Sequence, residues 1–163
     1  MAGVPIYQTG ILPEWIDYNG HLRDAYYALI VSLASDALMD RIGLDAAYRQ
    51  RTGCTLYTVE MHIHYLHEMK QTDTATVSVR IAGADRKRIH AAFEILRAAH
   101  GPPAAAAEVM LLHVQQQGAA VSSAPFPAEV SAAIAQLQAA SAAMPAAAPG
   151  SRRTELPRVR RDP

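Results

Sequence analysis

The sequence predicts an α+β domain, an antiparallel sheet wrapped around one long central helix, and three observations carry that prediction. Apolar residues recur at helical spacing from Tyr26 and Tyr27 through Ile30, Val31, Ala34, Leu38 and Ile42, with Asp36, Asp40 and Arg41 on the remaining arc. From Cys54 onward the period changes to alternation, in four successive runs. Short polar or glycine-containing breaks separate the runs, the rhythm of antiparallel strands rather than of strand–helix–strand units.

Taken in order, Val4 to Ile11 alternates as a short strand, with Val4, Ile6 and Gln8 against Pro5, Tyr7 and Thr9. Gly10 and Pro13 break it. Asp24 has the character of a helix N-cap before the long helix of residues 25–42, which Gly43 stops. A short helical turn is expected around Ala46 to Arg49. The run Cys54 to Met69 is one long strand with Tyr57, Val59, Met61, Ile63 and Tyr65 on one face and Thr58, Glu60, His62, His64 and Leu66 on the other. Lys70 to Asp73 has the composition of a hairpin turn. The runs Thr74–Ala82, Lys87–Ala99 and Ala104–Gln117 supply the next strands, broken at Gly83–Arg86 and at Gly101-Pro102-Pro103. Val130, Ile134 and Leu137 then space a terminal helix ending near Ala140. One helix covers one face of a sheet, so association through a sheet edge or face is expected.

Composition bounds the class. The chain has 163 residues, half of them hydrophobic, and zero formal net charge, which gives no bulk attraction toward nucleic acid or an anionic membrane. A single domain is expected over residues 1–140. Residues 141–163 are rich in Ala, Pro and Arg and are expected to form a flexible tail. The one cysteine, Cys54, excludes an internal disulfide. With no basic-then-apolar leader and no apolar run near the ~18 residues of a membrane span, a cytoplasmic location is expected.

The stretch from Pro13 to Tyr27 concentrates the chemistry. Asp17, Asn19 and His21 place a carboxylate, a carboxamide and an imidazole at alternate positions around Gly20, just before the long helix. A helix N-terminus offers free N–H groups and a positive dipole end to developing negative charge. Turn formation by Asp17 and Asn19 accounts for the same spacing, and spacing alone leaves both readings open.

The layout resembles the hotdog-fold acyl-CoA thioesterases, and within them the 4-hydroxybenzoyl-CoA thioesterase-like branch, through Asp17-x-Asn19-x-His21 ahead of a helix with Tyr27 near its start. A narrower resemblance is to the betainyl-CoA thioesterases of bacterial carnitine breakdown. It rests on Pro13-Glu14-Trp15-Ile16-Asp17-Tyr18-Asn19-Gly20-His21, on Glu60-x-His62-Ile63-x-Tyr65-Leu66-x-Glu68, on Asp85-x-Lys87-Arg88-x-His90 and on Pro125-Phe126-Pro127. Leu22-Arg23-Asp24 departs from the apolar-Asn-Asn pattern common in that branch, and Gln71-Thr72-Asp73 from its Gly-Asp turn.

The resemblance implies a hotdog fold and a hydrolase that cleaves a small acyl-CoA, betainyl-CoA by the narrower likeness, with no cofactor beyond the coenzyme A of the substrate. It implies Asp17 as nucleophile or general base, with Asn19 and His21 as polar supports. Glu60 and His62, two apart on one strand face, become substrate-side residues that reach a site across a subunit interface. Arg86, Lys87 and Arg88 become candidates for the phosphates of coenzyme A. Trp15 and Tyr18, beside Glu14, become candidates for an aromatic cage around a trimethylammonium group, and Tyr27 a core residue bordering the site. His62, His64 and His67 do not converge on a strand, so no metal is expected. The expected partners are the acyl-CoA and further copies of the chain, as a homodimer or homotetramer. A thioesterase for another short or aromatic acyl group, and a non-catalytic module that binds acyl-CoA, are the alternatives.

Overall fold

Helix α1 (Asp24–Arg41) buries the stripe that its spacing predicts, with Ile30, Val31, Ala34 and Leu38 inaccessible and Tyr27 buried but for a small exposed part. Ser35 lies in the same buried face, and its hydroxyl donates back to the Val31 carbonyl at 2.9 Å, which satisfies a group that would otherwise be expensive to bury. The computed structural model describes residues 3–97 and 101–142. From residue 143 onward, the predicted tail lies outside the described residues.

Around α1 runs an antiparallel sheet of β1 (Val4–Gly10), β2 (Cys54–Tyr65), β3 (Thr74–Ala84), β4 (Arg88–Leu96), β5 (Pro103–Gln117) and β6 (Ala120–Ser123). The order across the sheet is β1-β3-β4-β5-β2, and β6 pairs with the end of β5 that extends beyond β4. The inner faces of β3 (Ala75, Val77, Val79, Ile81), β4 (Ile89, Ala91, Phe93, Ile95) and β5 (Ala105, Ala107, Val109, Leu111) join α1 in one core. Helix α2 (Ala46–Thr52) is capped by the Asp45 carboxylate on the Tyr48 amide and ends at Gly53 with φ 68°. A side chain at Gly53 would sit 2.8 Å from the Gln116 carbonyl oxygen. Helix α3 (Ala128–Ala142) packs along β3 and β1 and adds Val130, Ile134 and Leu137 to the core. The small β6, four exposed residues after Gly118, is the one strand that alternation did not reveal.

Three sequence expectations are corrected. Lys70 to Asp73 does form a local turn, with the Asp73 carboxylate accepting from the Lys70 amide at 2.8 Å. It does not close a hairpin, because β2 pairs with β5 and β3 pairs with β1 and β4. Residues 66–73 instead cross the end of the sheet from the β2 edge to the middle. The second correction concerns the faces of β2. Thr58 and Glu60 oppose consecutive residues Leu111 and Met110, so Val59 is an extra residue and the alternation changes face there. Cys54 and Leu56 are buried before the bulge, Met61 and Ile63 pack on the core after it, and Tyr57 and Val59 stand 40% and 55% exposed. Tyr57 is therefore not a core residue. Thirdly, Asp24 is the first helical residue and not the N-cap: Arg23 holds that position without a side-chain cap, and the Asp24 carboxylate accepts from the Ala25 amide at 2.8 Å from within the first turn.

One buried polar pair ties α2 to the sheet. His113 is 1% exposed; its Nδ1 lies 2.9 Å from the Ala124 carbonyl and its Nε2 lies 3.1 Å from the Tyr48 hydroxyl. A carbonyl only accepts, so Nδ1 carries the proton and Nε2 accepts from Tyr48. Tyr48→Phe strands that nitrogen and is expected to destabilise the fold by about 1–3 kcal/mol. Urea unfolding should show a lowered midpoint with an unchanged m-value.

Candidate active site

The site is built on a hairpin of seven residues. A 3-10 turn at Pro13–Trp15 leads into Ile16, which forms an isolated antiparallel bridge with Leu22. Inside that bridge the Asp17 amide donates to the His21 carbonyl at 2.8 Å and the Gly20 amide to the Asp17 carbonyl at 3.1 Å. Gly20 sits at φ 79°, where residues with a Cβ are strained. Asp17 organises the tip: Oδ1 accepts from the Asn19 amide (2.8 Å) and the His21 amide (3.1 Å), and Oδ2 from the Asn19 carboxamide at 3.3 Å. Both sequence readings meet here, since the residue that makes the turn is the carboxylate that the resemblance singles out. Asp17, Asn19 and His21 are brought together as expected.

The hairpin is held from two sides. The Leu22 amide donates to the Met69 carbonyl at 2.8 Å, which fastens it to the 66–73 crossover, and the Arg23 amide donates to the Trp15 carbonyl at 3.0 Å. Arg23, where the chain departs from the family pattern, sends Nε to the Ile16 carbonyl at 3.4 Å and so braces the hairpin. His21 Nε2 lies 3.7 Å from a carboxylate oxygen of Glu68 on the crossover. Beside this junction lies a cavity of about 310 Å³, bordered by Leu22, Asp24 and Tyr27 from the start of α1 and by Tyr65, Leu66 and Glu68 from the end of β2 and the crossover. The first turn of α1 adjoins this cavity through Asp24 and Tyr27.

The backbone amide of His21, joined by the amide and carboxamide of Asn19, holds the Asp17 carboxyl below its ordinary pKa, outweighing slight desolvation. Asp17 is therefore ionised throughout the neutral range. Burial raises the pKa of the Tyr27 phenol, and burial together with the nearby Asp24 charge raises that of Tyr65. Both hydroxyls thus stay protonated as donors, Tyr27 to the His67 carbonyl and Tyr65 to the Asp24 carbonyl, each at 3.3 Å.

Other expected residues lie elsewhere. Trp15 is buried and stacked on Tyr26 with ring centroids 5.3 Å apart, whereas Tyr18 is 95% exposed at the hairpin tip. The two do not form a cage within one chain. Glu60 and His62 pair with each other at 2.7 Å on β2. Arg86, Lys87 and Arg88 occupy the turn between β3 and β4, at the opposite end of β3 from the hairpin. Arg88 is engaged by Asp85 through Nε at 2.8 Å, and Lys87 Nζ donates to Ser123 at 3.0 Å. Arg86 is exposed. Among the described residues, no three His, Cys, Asp or Glu side chains are grouped to hold a metal ion, and no helix is long and apolar enough to cross a membrane. Tyr65 and Glu68, which the sequence reading does not assign to the site, border the cavity. Both lie in the run that carried the narrower resemblance, but only the pairing of β2 with β5 reveals that the run ends beside α1.

The carboxylate hairpin precedes a helix that begins beside a small cavity, and residues 11–134 match the model of the thioesterase-like superfamily. The chain belongs to that superfamily. A betainyl-CoA thioesterase of Pseudomonas aeruginosa is 45% identical over 154 residues, 94% of this chain and 96% of its own length. Among solved structures, a Pseudomonas putida KT2440 protein assigned as a thioesterase superposes with a TM-score of 0.80 at 42% identity, covering 96% of this chain and 99% of that one. A Staphylococcus aureus protein solved in complex with CoA superposes with a TM-score of 0.79 at 27% identity, covering 96% and 98%. These neighbours share the hotdog architecture, a curled antiparallel sheet around a helix.

The folded pKa of Asp17 is depressed, so its contribution to hairpin stability is complete above the ordinary carboxylate value and is lost as pH falls through the depressed one. Followed by NMR, the His21 amide resonance should titrate with a midpoint below the ~4 of an ordinary Asp. A midpoint at or above that value contradicts the geometry.

Proposed function

We propose that the chain hydrolyses a small acyl-CoA thioester with a cationic acyl group, betainyl-CoA first, releasing betaine and free coenzyme A. The observation that carries this reading is the hydrogen-bonded Asp17 hairpin whose base residue, Leu22, borders the cavity beside the start of α1. The identity to the Pseudomonas aeruginosa enzyme supports the acyl group. Bound there, the thioester carbonyl lies at the start of α1, where the positive end of the helix favours the negative charge that develops on oxygen. Asp17 Oδ2, the less engaged oxygen, attacks the acyl carbon or takes a proton from an attacking water. Attack by Asp17 expels the coenzyme A thiolate and leaves a mixed anhydride on Asp17, which water then hydrolyses to free the acid and restore the carboxylate. Attack by water expels the thiolate and forms the acid directly, and the proton that Asp17 takes from the water passes to the thiolate or to solvent. Asn19 holds the carboxylate by two bonds and His21 by its amide.

Completion of the site falls to a second copy. Strand β2 is an edge with one side unpaired by the described residues, and Tyr57 and Val59 are exposed along it. Antiparallel pairing of two β2 edges about a twofold axis sets the Cys54 end of one copy beside the Tyr65 end of the other. The Arg86–Arg88 turn of one copy then lies toward the same end as the Asp17 hairpin of the other. Arg86 and Lys87 are the candidates for coenzyme A phosphates, with Arg88 holding their turn through Asp85; Glu60 and His62 sit near the middle of the paired edges. The unit that folds is one domain spanning the described residues, and a cytoplasmic setting suits a coenzyme A substrate.

On an acyl-CoA panel with free thiol as readout, betainyl-CoA should be the preferred substrate. Asp17→Asn keeps an acceptor oxygen for the hairpin amides, so it should retain coenzyme A binding while kcat falls by about a hundredfold or more. Equal turnover by wild type and variant rules out Asp17 as the reacting group, and no thioester hydrolysis at all leaves the binding-module alternative. Val59→Lys charges the edge strand and should convert the oligomer to monomer in sedimentation velocity, with loss of turnover. A variant that stays associated contradicts pairing through β2.

A further inference from the structure

Resting on the cationic-substrate reading above, we infer that the cavity between α1 and the 66–73 crossover is the acyl subsite, and that the rings of Tyr27 and Tyr65 with the carboxylates of Asp24 and Glu68 select a quaternary ammonium group there. The cage expected from the sequence, Trp15 with Tyr18, is not assembled: one ring is buried against Tyr26 and the other stands in solvent. The aromatic pair that does border a cavity is Tyr27 with Tyr65. Their centroids are 5.3 Å apart and their planes meet at 85°, so they form two walls of a corner. Each ring is fixed by its hydroxyl, Tyr27 on the His67 carbonyl and Tyr65 on the Asp24 carbonyl.

A quaternary ammonium ion has no N–H to donate. It is recognised by aromatic faces and by negative charge at close range, not by directed hydrogen bonds. The cavity supplies both. Asp24 and Glu68 border it together with His67, no Lys or Arg is among its lining residues, and the nearby Arg97 guanidinium donates to the Glu68 backbone carbonyl at 3.3 Å. Its volume of about 310 Å³ suits a compact acyl group rather than a long chain. Its place is right for the chemistry, since Leu22 is both a lining residue and the bridge partner of Ile16 at the base of the Asp17 hairpin. An acyl group seated there has its carbonyl end toward the hairpin and the start of α1.

The test is the ratio of kcat/KM for betainyl-CoA to that for tert-butylacetyl-CoA, in which carbon replaces the nitrogen with the same shape and no charge. A general loss of folding or catalysis lowers both values and leaves the ratio alone. The wild-type enzyme should favour the cation by at least about tenfold, and Glu68→Gln and Tyr65→Leu should each lower that ratio by roughly tenfold. A wild-type preference that both variants retain overturns the subsite while the proposed substrate stands. A wild-type enzyme that does not discriminate between the two, while hydrolysing other acyl-CoAs, overturns the substrate reading and the subsite with it.

Discussion

A single backbone hydrogen bond, from the Leu22 amide to the Met69 carbonyl at 2.8 Å, joins the two segments on which the site depends. On one side of it is the Asp17 hairpin, closed by the Ile16–Leu22 bridge; on the other is the crossover that carries the chain from β2 to β3. Met69 is fully buried, so the anchor point is part of the core and not of a mobile surface loop. The start of α1 follows the bond within two residues. Hairpin, helix N-terminus and cavity therefore have fixed relative positions, which is what transition-state stabilisation by backbone amides requires.

The same crossover explains why the sheet has an exposed edge. Because residues 66–73 take the chain away from β2, the strand that follows in sequence does not pair with it, and β2 is left with β5 alone. Natural sheets commonly blunt an edge with charge, proline or a bulge. Here the Val59 bulge turns two large apolar side chains outward instead of protecting the strand. In the twofold pairing proposed above, such an edge meets its own copy, and the basic β3–β4 turn of one chain lies toward the hairpin end of the other.

What was legible in the sequence had one buried face. The α1 stripe and the inner residues of β3, β4 and β5 matched their spacing because a one-residue error would have put charge in the core. The Asp17 hairpin was legible as a turn and as a family motif, and its hydrogen bonds bear out the turn. What failed depended on long-range pairing. Strict alternation misassigned Tyr57 because a bulge is invisible to a period, and Lys70 to Asp73 has turn chemistry whichever strands it connects. Trp15 and Tyr18 were grouped as a cage because they are near in sequence, whereas Tyr27 and Tyr65, 38 positions apart, meet in space. Asp24 was taken for a cap because Asp caps helices well, yet its side chain accepts from the next amide, Ala25, at 2.8 Å from within the helix.

That misplacement of Asp24 bears on the substrate. A helix N-terminus that steadies a developing oxyanion carries positive potential, and the same potential repels a trimethylammonium group a few atoms away. An enzyme for a cationic acyl thioester must therefore separate the two ends of a very short acyl group electrostatically. In the proposed subsite, Asp24 in the first turn and Glu68 across the cavity supply negative charge beside the acyl group, while the helix dipole acts on the carbonyl end. With Arg23 held back against the Ile16 carbonyl, its guanidinium serves the hairpin. The Arg-Asp pair that breaks the family pattern thus divides the charge at the start of α1 in the sense that a cationic substrate needs.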